Sequence, residues 1–215
     1  MNPDIGANDA ILFPFTFGEL ARDLQDEAMA YAGVFACWDM GDVATESAAH
    51  DWGAAGRLII YAHGGSGGRH NNHVYADDRG RVEKSTADVA KIISDLRFPA
   101  GAGNEIIVWS CHAGHVGGFA HMLTLHLTNE GYTGKRVWGC KAFGGTIDQH
   151  HRCLKAATNA GDIPRRATAA DADYFIGRPP VARAVPAAAS AAGSAAASAA
   201  GSAAASAAGS AAAAK

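Results

Sequence analysis

Two short apolar runs constrain the fold of this chain most strongly, because each is typical of a buried strand and each ends at a reactive side chain. Leu58 to Ala62 leads into His63, and Ile106 to Ser110 leads into Cys111. Both runs have the length and the β-branched content of buried strands. Parallel strands place their carboxyl ends at one edge of a sheet, so we expect His63 and Cys111 to lie at the same edge.

The segments between and after these runs alternate between helix and strand patterns. Ser85 can cap a helix by accepting from the Asp88 amide, and Pro99 would stop that helix. A second helix is predicted after Gly118, followed by a strand from Lys135 to Phe143. The apolar face of this second helix would consist of Phe119, Met122, Leu123 and Leu127. The alternation predicts an α/β fold, a three-layer α/β/α sandwich with a mostly parallel central sheet.

The flanking segments give weaker patterns. Apolar spacing predicts a helix over Phe17–Tyr31, and a strand is expected within Gly33–Trp38. Asp77 to Gly80 is typical of a turn. Beyond Gly144 we expect a short helix within Ile147–Ala157 and a small apolar anchor at Tyr174–Ile176.

The last part of the chain differs from the rest in composition. From Ala187 onward it contains only alanine, glycine and serine in a repeated octad, before a final alanine run and Lys215. Such a segment offers no side chain large enough to build a core. We therefore expect one domain over residues 1–180 and a low-complexity linker or tail over residues 181–215.

Charge and hydropathy argue against several function classes. The net charge of −3 and the scattered basic residues do not indicate a nucleic-acid-binding surface. No apolar run approaches the 20 residues that a membrane span needs, and residues 1–4 lack a secretory pattern. The expected location is the cytoplasm, with export by a route that needs no such signal as the alternative. The four cysteines are expected to remain thiols, since a domain of this size folds without disulfides.

The residues around Cys111 and His63 suit nucleophilic catalysis. Cys111 stands before Gly114, Gly117 and Gly118, where a tight turn exposes a thiol near the start of a helix. Glycines after His63 allow the backbone to approach a substrate carbonyl closely. The amides of Gly64 and Cys111 are candidate donors to an oxyanion. A thiol and an imidazole are the minimal parts of a cysteine nucleophile with its base.

These blocks together resemble the caspase-like cysteine peptidases of clan CD. The run from Leu58 through His63-Gly64-Gly65 is similar to the family's apolar block ending in His-Gly. Gly80 to Leu96 resembles the hairpin and helix of bacterial members, and Ile106 to Gly114 resembles the block that ends in Cys. The resemblance covers about Arg57 to Phe143 and implies a caspase-like sandwich.

The resemblance also implies an activity and a set of site residues. It implies a cysteine endopeptidase with Cys111 as nucleophile, His63 as base and the Gly64 amide in the oxyanion hole. Its substrate would be a protein or peptide, its own chain included, and it would need no cofactor or metal. Family members read a substrate side chain in a pocket formed partly by the strand after the nucleophile, here Val137 to Phe143. Asp148 would favour a basic side chain there; Lys141 or Arg152 would favour an acidic one.

Other interpretations compete with the peptidase. A cysteine at a strand end is most often a buried small hydrophobe, and a lone histidine is more often structural. The many histidines suggest a metal-dependent hydrolase, but His121 and His126 lie five residues apart and would not share a helix face. A serine hydrolase would need glycines where Val108 and His112 stand. A non-catalytic binding module on a caspase-like scaffold is the third alternative.

Overall fold

The computed structural model describes residues 4–43, 47–65, 72–101, 103–141, 144–147, 153–155, 165–166, 168, 170 and 172–177. The three α-helices of this part are α1 (Arg22–Ala32), α2 (Thr86–Asp95) and α3 (Phe119–Asn129). Its strands are β1 (Ala10–Leu12), β2 (Ala36–Trp38), β3 (Leu58–Tyr61), β4 (His63–Gly64), β5 (His73–Tyr75), β6 (Glu83–Ser85), β7 (Ile106–Trp109), β8 (Arg136–Cys140), β9 (Gly144–Ile147), β10 (Cys153–Lys155), β11 (Arg165–Arg166) and β12 (Ala172–Ile176).

A six-stranded sheet forms the centre of the described part of the chain, with its strands in the order β2-β1-β3-β7-β8-β12. The first five of these strands run parallel, and β12 pairs antiparallel with β8 at the edge. Strands β3 and β7 are fully buried along their length, as near-continuous apolar runs in a parallel sheet require. The expectation of a mostly parallel sheet is therefore confirmed.

Helices pack on the two faces of this sheet. On one face, Tyr61 of β3 contacts Tyr31 of α1 with ring centroids 5.6 Å apart, and Cys37 of β2 contacts the same helix. Trp38, the next residue along β2, points to the opposite face and contacts Trp52. Trp52 in turn packs on Phe98, just after α2, and α3 packs beside α2. The layers are thus α1, the sheet, and α2 with α3.

A second, three-stranded antiparallel sheet grows out of the end of β3. Strand β4 starts two residues after β3 and pairs with β5, which pairs with β6. The chain then enters α2 through Ser85, whose hydroxyl accepts from the Asp88 amide at 3.2 Å, while the Asp88 carboxylate accepts from the Ser85 amide. The cap predicted for α2 is confirmed, and this crossover returns the chain to β7 beside β3.

Two local predictions differ from the structure. The helix expected from Phe17 starts at Arg22, because Leu20 and Ala21 have extended backbone and only a 3₁₀ turn, Phe17–Glu19, precedes them. The short helix expected within Ile147–Ala157 is wrong for its described residues, since Ile147 and Cys153–Lys155 are strand residues that pair antiparallel. Tyr174–Ile176 lies in the edge strand β12, with Tyr174 and Ile176 about half exposed.

Within the described ranges, no helix combines the length and the apolar character needed to cross a membrane. The residues 181–215 that were expected to form a tail lie outside those ranges.

Candidate active site

The pairing of β3 with β7 brings His63 and Cys111 to the same sheet edge. Tyr61 and Trp109 are register partners at the ends of these parallel strands, and each candidate residue follows two positions later. Neighbouring strands lie about 4.8 Å apart, so the backbones of His63 and Cys111 leave the sheet side by side. This is the carboxyl edge, where open α/β sheets place their sites.

Gly64 packs directly on the backbone of Cys111. A Cβ at position 64 would lie 2.7 Å from the Cys111 amide nitrogen and 2.5 Å from the Ser110 hydroxyl oxygen. Side chains do not tolerate such distances, so only glycine fits here. The close approach places Gly64 beside the backbone of Cys111. The amides of these two residues are the donors that we considered for an oxyanion.

The chain turns sharply at Cys111. Ala113 donates its amide to the Ser110 carbonyl at 3.4 Å, and His112 has a φ of 56° at the third position of this turn. Glycine or asparagine usually occupies such a position, because a Cβ strains the left-handed conformation. His112 also stacks on His115, with centroids 5.8 Å apart. The histidine after Cys111 therefore takes part in the shape of the turn that presents this cysteine.

Hydrogen bonds fix the loop after Cys111 to its neighbours. Gly114 donates its amide to the Cys140 carbonyl at 2.7 Å, and a Cβ at Gly114 would collide with the backbone of β8. Ala120, in the first turn of α3, donates its amide to the Ala113 carbonyl at 3.1 Å. The loop is thus held between the end of β8 and the start of α3, and Cys111 is partly buried at its beginning.

The imidazole of His63 faces a carboxylate on α1. His63 Nε2 lies 3.0 Å from Asp23 Oδ2, with side-chain exposures of 27% and 61% respectively. The ring nitrogen is buried and makes no hydrogen bond to any described residue, so the contact is a close approach that becomes an ion pair when the ring is protonated.

A second carboxylate, one helical turn further along α1, lies close to the same histidine. Burial raises the pKa of Glu27, and the negative charge of Asp23 raises it further. The Tyr61 hydroxyl, which donates a hydrogen bond to the Glu27 carboxylate, and His63 both act to lower this pKa. Burial also raises the pKa of Tyr61 well above its usual range. Asp23 and Glu27 occupy positions i and i+4, so both face the sheet edge near His63.

An open cavity of about 320 Å³ lies beside His63. Its lining combines the His63–Gly65 segment with Tyr75 at the end of β5 and with residues of the turn between β5 and β6: Asp77, Asp78, Arg79 and Gly80. The Asp77 carboxylate accepts from the Arg81 amide at 2.9 Å and from Arg81 Nε at 2.7 Å. The turn expected at Asp77 to Gly80 thus forms one wall of a space beside the candidate base.

The described cysteines differ in their surroundings. Cys37, Cys111 and Cys140 are thiols, and Cys140 is buried in β8. Burial, with the charges of Asp42 and Asp39, raises the pKa of the Cys37 thiol to about 12. Since the thiolate is the reactive form, Cys37 is a poor nucleophile at neutral pH.

The residues expected to contact a substrate side chain are not all brought to this edge. Val137 is fully buried and pairs with Ile106, at the opposite end of its strand, so it packs in the core instead. Lys141 follows β8 at the carboxyl edge, but its ammonium pairs with Asp173 of β12 at 3.1 Å. Phe143 and Asp148 lie outside the described residues.

For the part of the chain that the structure describes, no three histidine, cysteine, aspartate or glutamate side chains converge to bind a metal ion. His73 contacts Glu83, and His121 accepts from the Gly117 amide and stacks on Phe175. These histidines therefore have structural contacts of their own, while His70, His150 and His151 lie outside the described ranges.

Sequence reasoning did not single out Asp23 and Glu27. Their spacing on a helix places them on one face, and that much is visible in the sequence. What the spacing does not reveal is that this face meets the end of β3, because the contact depends on how α1 packs against the sheet.

A scan against protein-family models and a search of curated proteins both find no match to this chain.

Proposed function

We propose that this protein is a caspase-like cysteine endopeptidase in which Cys111 is the nucleophile and His63 the base. The observation that carries the proposal is the register of β3 with β7, which ends both strands at one edge with Gly64 against the Cys111 backbone. A strand-end thiol alone would favour a structural role. A strand-end thiol next to a His-Gly segment on the neighbouring strand favours nucleophilic catalysis.

The surrounding architecture supports the same proposal. The mostly parallel sheet with helices on both faces is the arrangement that the resemblance implies. The antiparallel strands β5 and β6 and the capped helix α2 fill the interval between His63 and β7 in the order that the resemblance implies. The cavity beside His63, whose described lining does not include Cys111, leaves room for a substrate side chain next to the base.

The proposed reaction proceeds through an acyl-enzyme. The Cys111 sulfur, as thiolate, attacks the carbonyl carbon of the scissile peptide bond, and the carbonyl electron pair moves onto its oxygen. The amides of Gly64 and Cys111 donate hydrogen bonds to that oxyanion. When the C–N bond breaks, the His63 imidazolium gives its proton to the leaving amine.

Hydrolysis of the thioester completes the cycle. His63, now neutral, takes a proton from a water molecule that attacks the acyl carbon. The second tetrahedral intermediate collapses to a carboxylic acid and releases the Cys111 sulfur. His63 keeps the proton that it took from the water molecule, so the thiolate–imidazolium pair of the starting state is restored.

A thiol-directed probe tests the proposal without knowledge of the substrate. The folded protein is treated at pH 7 with an iodoacetamide fluorophore, and the labelled peptide is identified by mass spectrometry. We expect label on Cys111, none at that position in Cys111→Ala, and a labelling rate about 30-fold lower in His63→Ala, because an ordinary thiol is only about 3% thiolate at pH 7. A peptide library then reads which substrate side chain is preferred.

Cys37→Ala is the matched control, because the raised pKa of Cys37 makes it a poor thiolate donor. This variant should label as fast as the original protein. If folded protein takes up no label at Cys111, or if His63→Ala labels Cys111 at the original rate, the dyad is not present and the proposal fails.

A further inference from the structure

The geometry points to Asp23 as a positioning residue that orients His63 toward Cys111, an inference that rests on the proposed function. The carboxylate lies 3.0 Å from Nε2, one of the two ring nitrogens. An imidazole whose Nε2 carries the proton toward a carboxylate leaves Nδ1 as the nitrogen that can exchange a proton with a thiol. A carboxylate in this place also stabilises the positive charge that the ring gains when it takes the thiol proton.

The position of Asp23 on α1 makes this arrangement stable. Asp23 is the second residue of the helix, and α1 is attached to the sheet through Tyr31, which contacts Tyr61 and Phe13. Tyr61 belongs to the strand that ends just before His63 and donates to Glu27. The carboxylate and the imidazole are therefore carried by two elements that are packed against each other.

The ion pair is not an aligned hydrogen bond in this structure. Catalytic hydrogen bonds are often poorly aligned before substrate binds and tighten in the complex. Because Asp23 is more than half exposed, water weakens its effect compared with that of a buried triad aspartate. We therefore expect a contribution of about threefold to the reactivity of Cys111, well below that of a buried triad member.

Another role for Asp23 must be separated from this one. An acidic residue in the first turn of a helix stabilises the helix through its dipole. Asp26, three residues further on, offers the matched control: it lies on the same helix and pairs with the exposed Arg22 at 3.2 Å. Removing either carboxylate takes one negative charge from α1, but only Asp23 contacts His63.

The experiment compares Asp23→Ala, Asp26→Ala and Asp23→Glu in the full chain. The first readout is the ¹⁵N spectrum of ¹⁵N-histidine-labelled protein, with His63→Ala used to assign the His63 ring. The second is the rate at which Cys111 takes up an iodoacetamide probe at pH 7. We expect Asp23→Ala to lose the Nε2-protonated signature and to label about threefold more slowly. We expect Asp26→Ala to change neither, and Asp23→Glu to recover most of both.

The two readouts separate this inference from the proposed function. If Asp23→Ala leaves both the His63 spectrum and the labelling rate unchanged while Cys111 of the original protein labels well, Asp23 does not position His63 and the peptidase proposal stands. If Cys111 never labels but the His63 spectrum changes only in Asp23→Ala, the contact is real and the peptidase proposal is the one that fails.

Discussion

Gly64 illustrates how a single residue type connects the fold to the candidate site. It follows His63 directly, so it is the residue that lets the chain leave β3 and lie flat against Cys111. Its neighbours on that side are the Ser110 hydroxyl and the carbonyl oxygen and amide nitrogen of Cys111. The two Cys111 atoms belong to the backbone, so they cannot rotate out of the way as the tip of a long side chain can. Any Cβ at this position would push the His63 and Cys111 segments apart.

We expect Gly64→Ala to lower the free energy of unfolding by about 2 kcal/mol or more and to slow probe labelling of Cys111, because the added methyl group displaces the Cys111 amide. Urea unfolding measures the first effect and labelling kinetics the second. Gly18→Ala is the control, since a Cβ there would meet nothing within 4 Å. If Gly64→Ala were as stable and as reactive as Gly18→Ala, the close packing of Gly64 on Cys111 would be refuted.

At the scale of the element, the end of α2 contains a mismatch between residue and conformation. The C-cap is Leu96, and the next residue, Arg97, has a φ of 53° while its amide donates to the Ser94 carbonyl at 3.0 Å. Helices commonly finish with one residue in this left-handed conformation, and glycine is the residue that adopts it without strain.

We expect Arg97→Gly to raise the free energy of unfolding by about 0.5–1 kcal/mol, since it removes the Cβ that strains the left-handed position. Arg97→Ala provides the comparison: it removes the same charge but keeps the Cβ, so it should bring no gain. Thermal or urea denaturation of the three proteins gives the answer. Equal stabilities for the glycine and alanine variants would contradict the conformational explanation.

Elements that are specified by their own residues were predictable from the sequence. The cap at Ser85, the apolar runs of β3 and β7 and the apolar face of α3 all depend on local spacing, and the structure contains the cap and both runs. On α3, Phe119, Leu123 and Leu127 are buried as expected, whereas Met122 is only partly buried. Leu20 carries the helical spacing expected of the segment from Phe17, yet its backbone is extended. The spacing of apolar residues does not predict where a backbone becomes extended in order to bond to another segment. Ala21 is such a position, because its amide donates to the Ala76 carbonyl.

Features that depend on the packing of distant elements were not predictable. The strand pairing of β9 with β10 replaced an expected helix, because pairing with a partner strand overrides weak local preference. The ion pair of Asp23 with His63 joins α1 to the end of β3 and leaves no local sequence pattern. Val137 was assigned to the substrate site as part of a whole strand, but only the carboxyl end of β8 reaches the edge where Cys111 lies.

Across the whole molecule, the two edges of the central sheet carry different kinds of polar groups. The carboxyl edge holds the candidate site. The amino edge holds buried charges: Arg57, which pairs with Asp9, and Lys135, which is fully buried and bonds to backbone carbonyls. Lys135 Nζ donates to the carbonyls of Pro99, Gly101 and Asn104 at 2.6–2.8 Å, which attaches the connection between α2 and β7 to the start of β8.

Burial lowers the pKa of Lys135 from its ordinary value near 10.5 to about 8, against the three carbonyls, which favour the ammonium. Between about pH 8 and pH 10.5 the unfolded chain therefore binds more protons at this residue than the folded chain does. The contribution of Lys135 makes the free energy of unfolding rise with pH through that window, and the burial of the charge is most unfavourable below pH 8.

Lys135→Met removes both the charge and the donor. At pH 7.5 we expect it to lower the free energy of unfolding by about 3 kcal/mol, because three buried carbonyls lose their partner. The deficit should grow as the pH rises to 10, since only the original protein gains stability there. Urea unfolding at several pH values measures the difference in the free energy of unfolding between Lys135→Met and the original protein.

Lys91→Met is the control, because Lys91 is exposed and pairs with Asp95. Its difference from the original protein should not depend on pH. A deficit for Lys135→Met that stays constant from pH 7.5 to 10 would mean that burial does not lower the pKa of Lys135. Probe labelling of Cys111 in folded Lys135→Met should match the original rate, because this lysine supports the edge of the sheet opposite the candidate site.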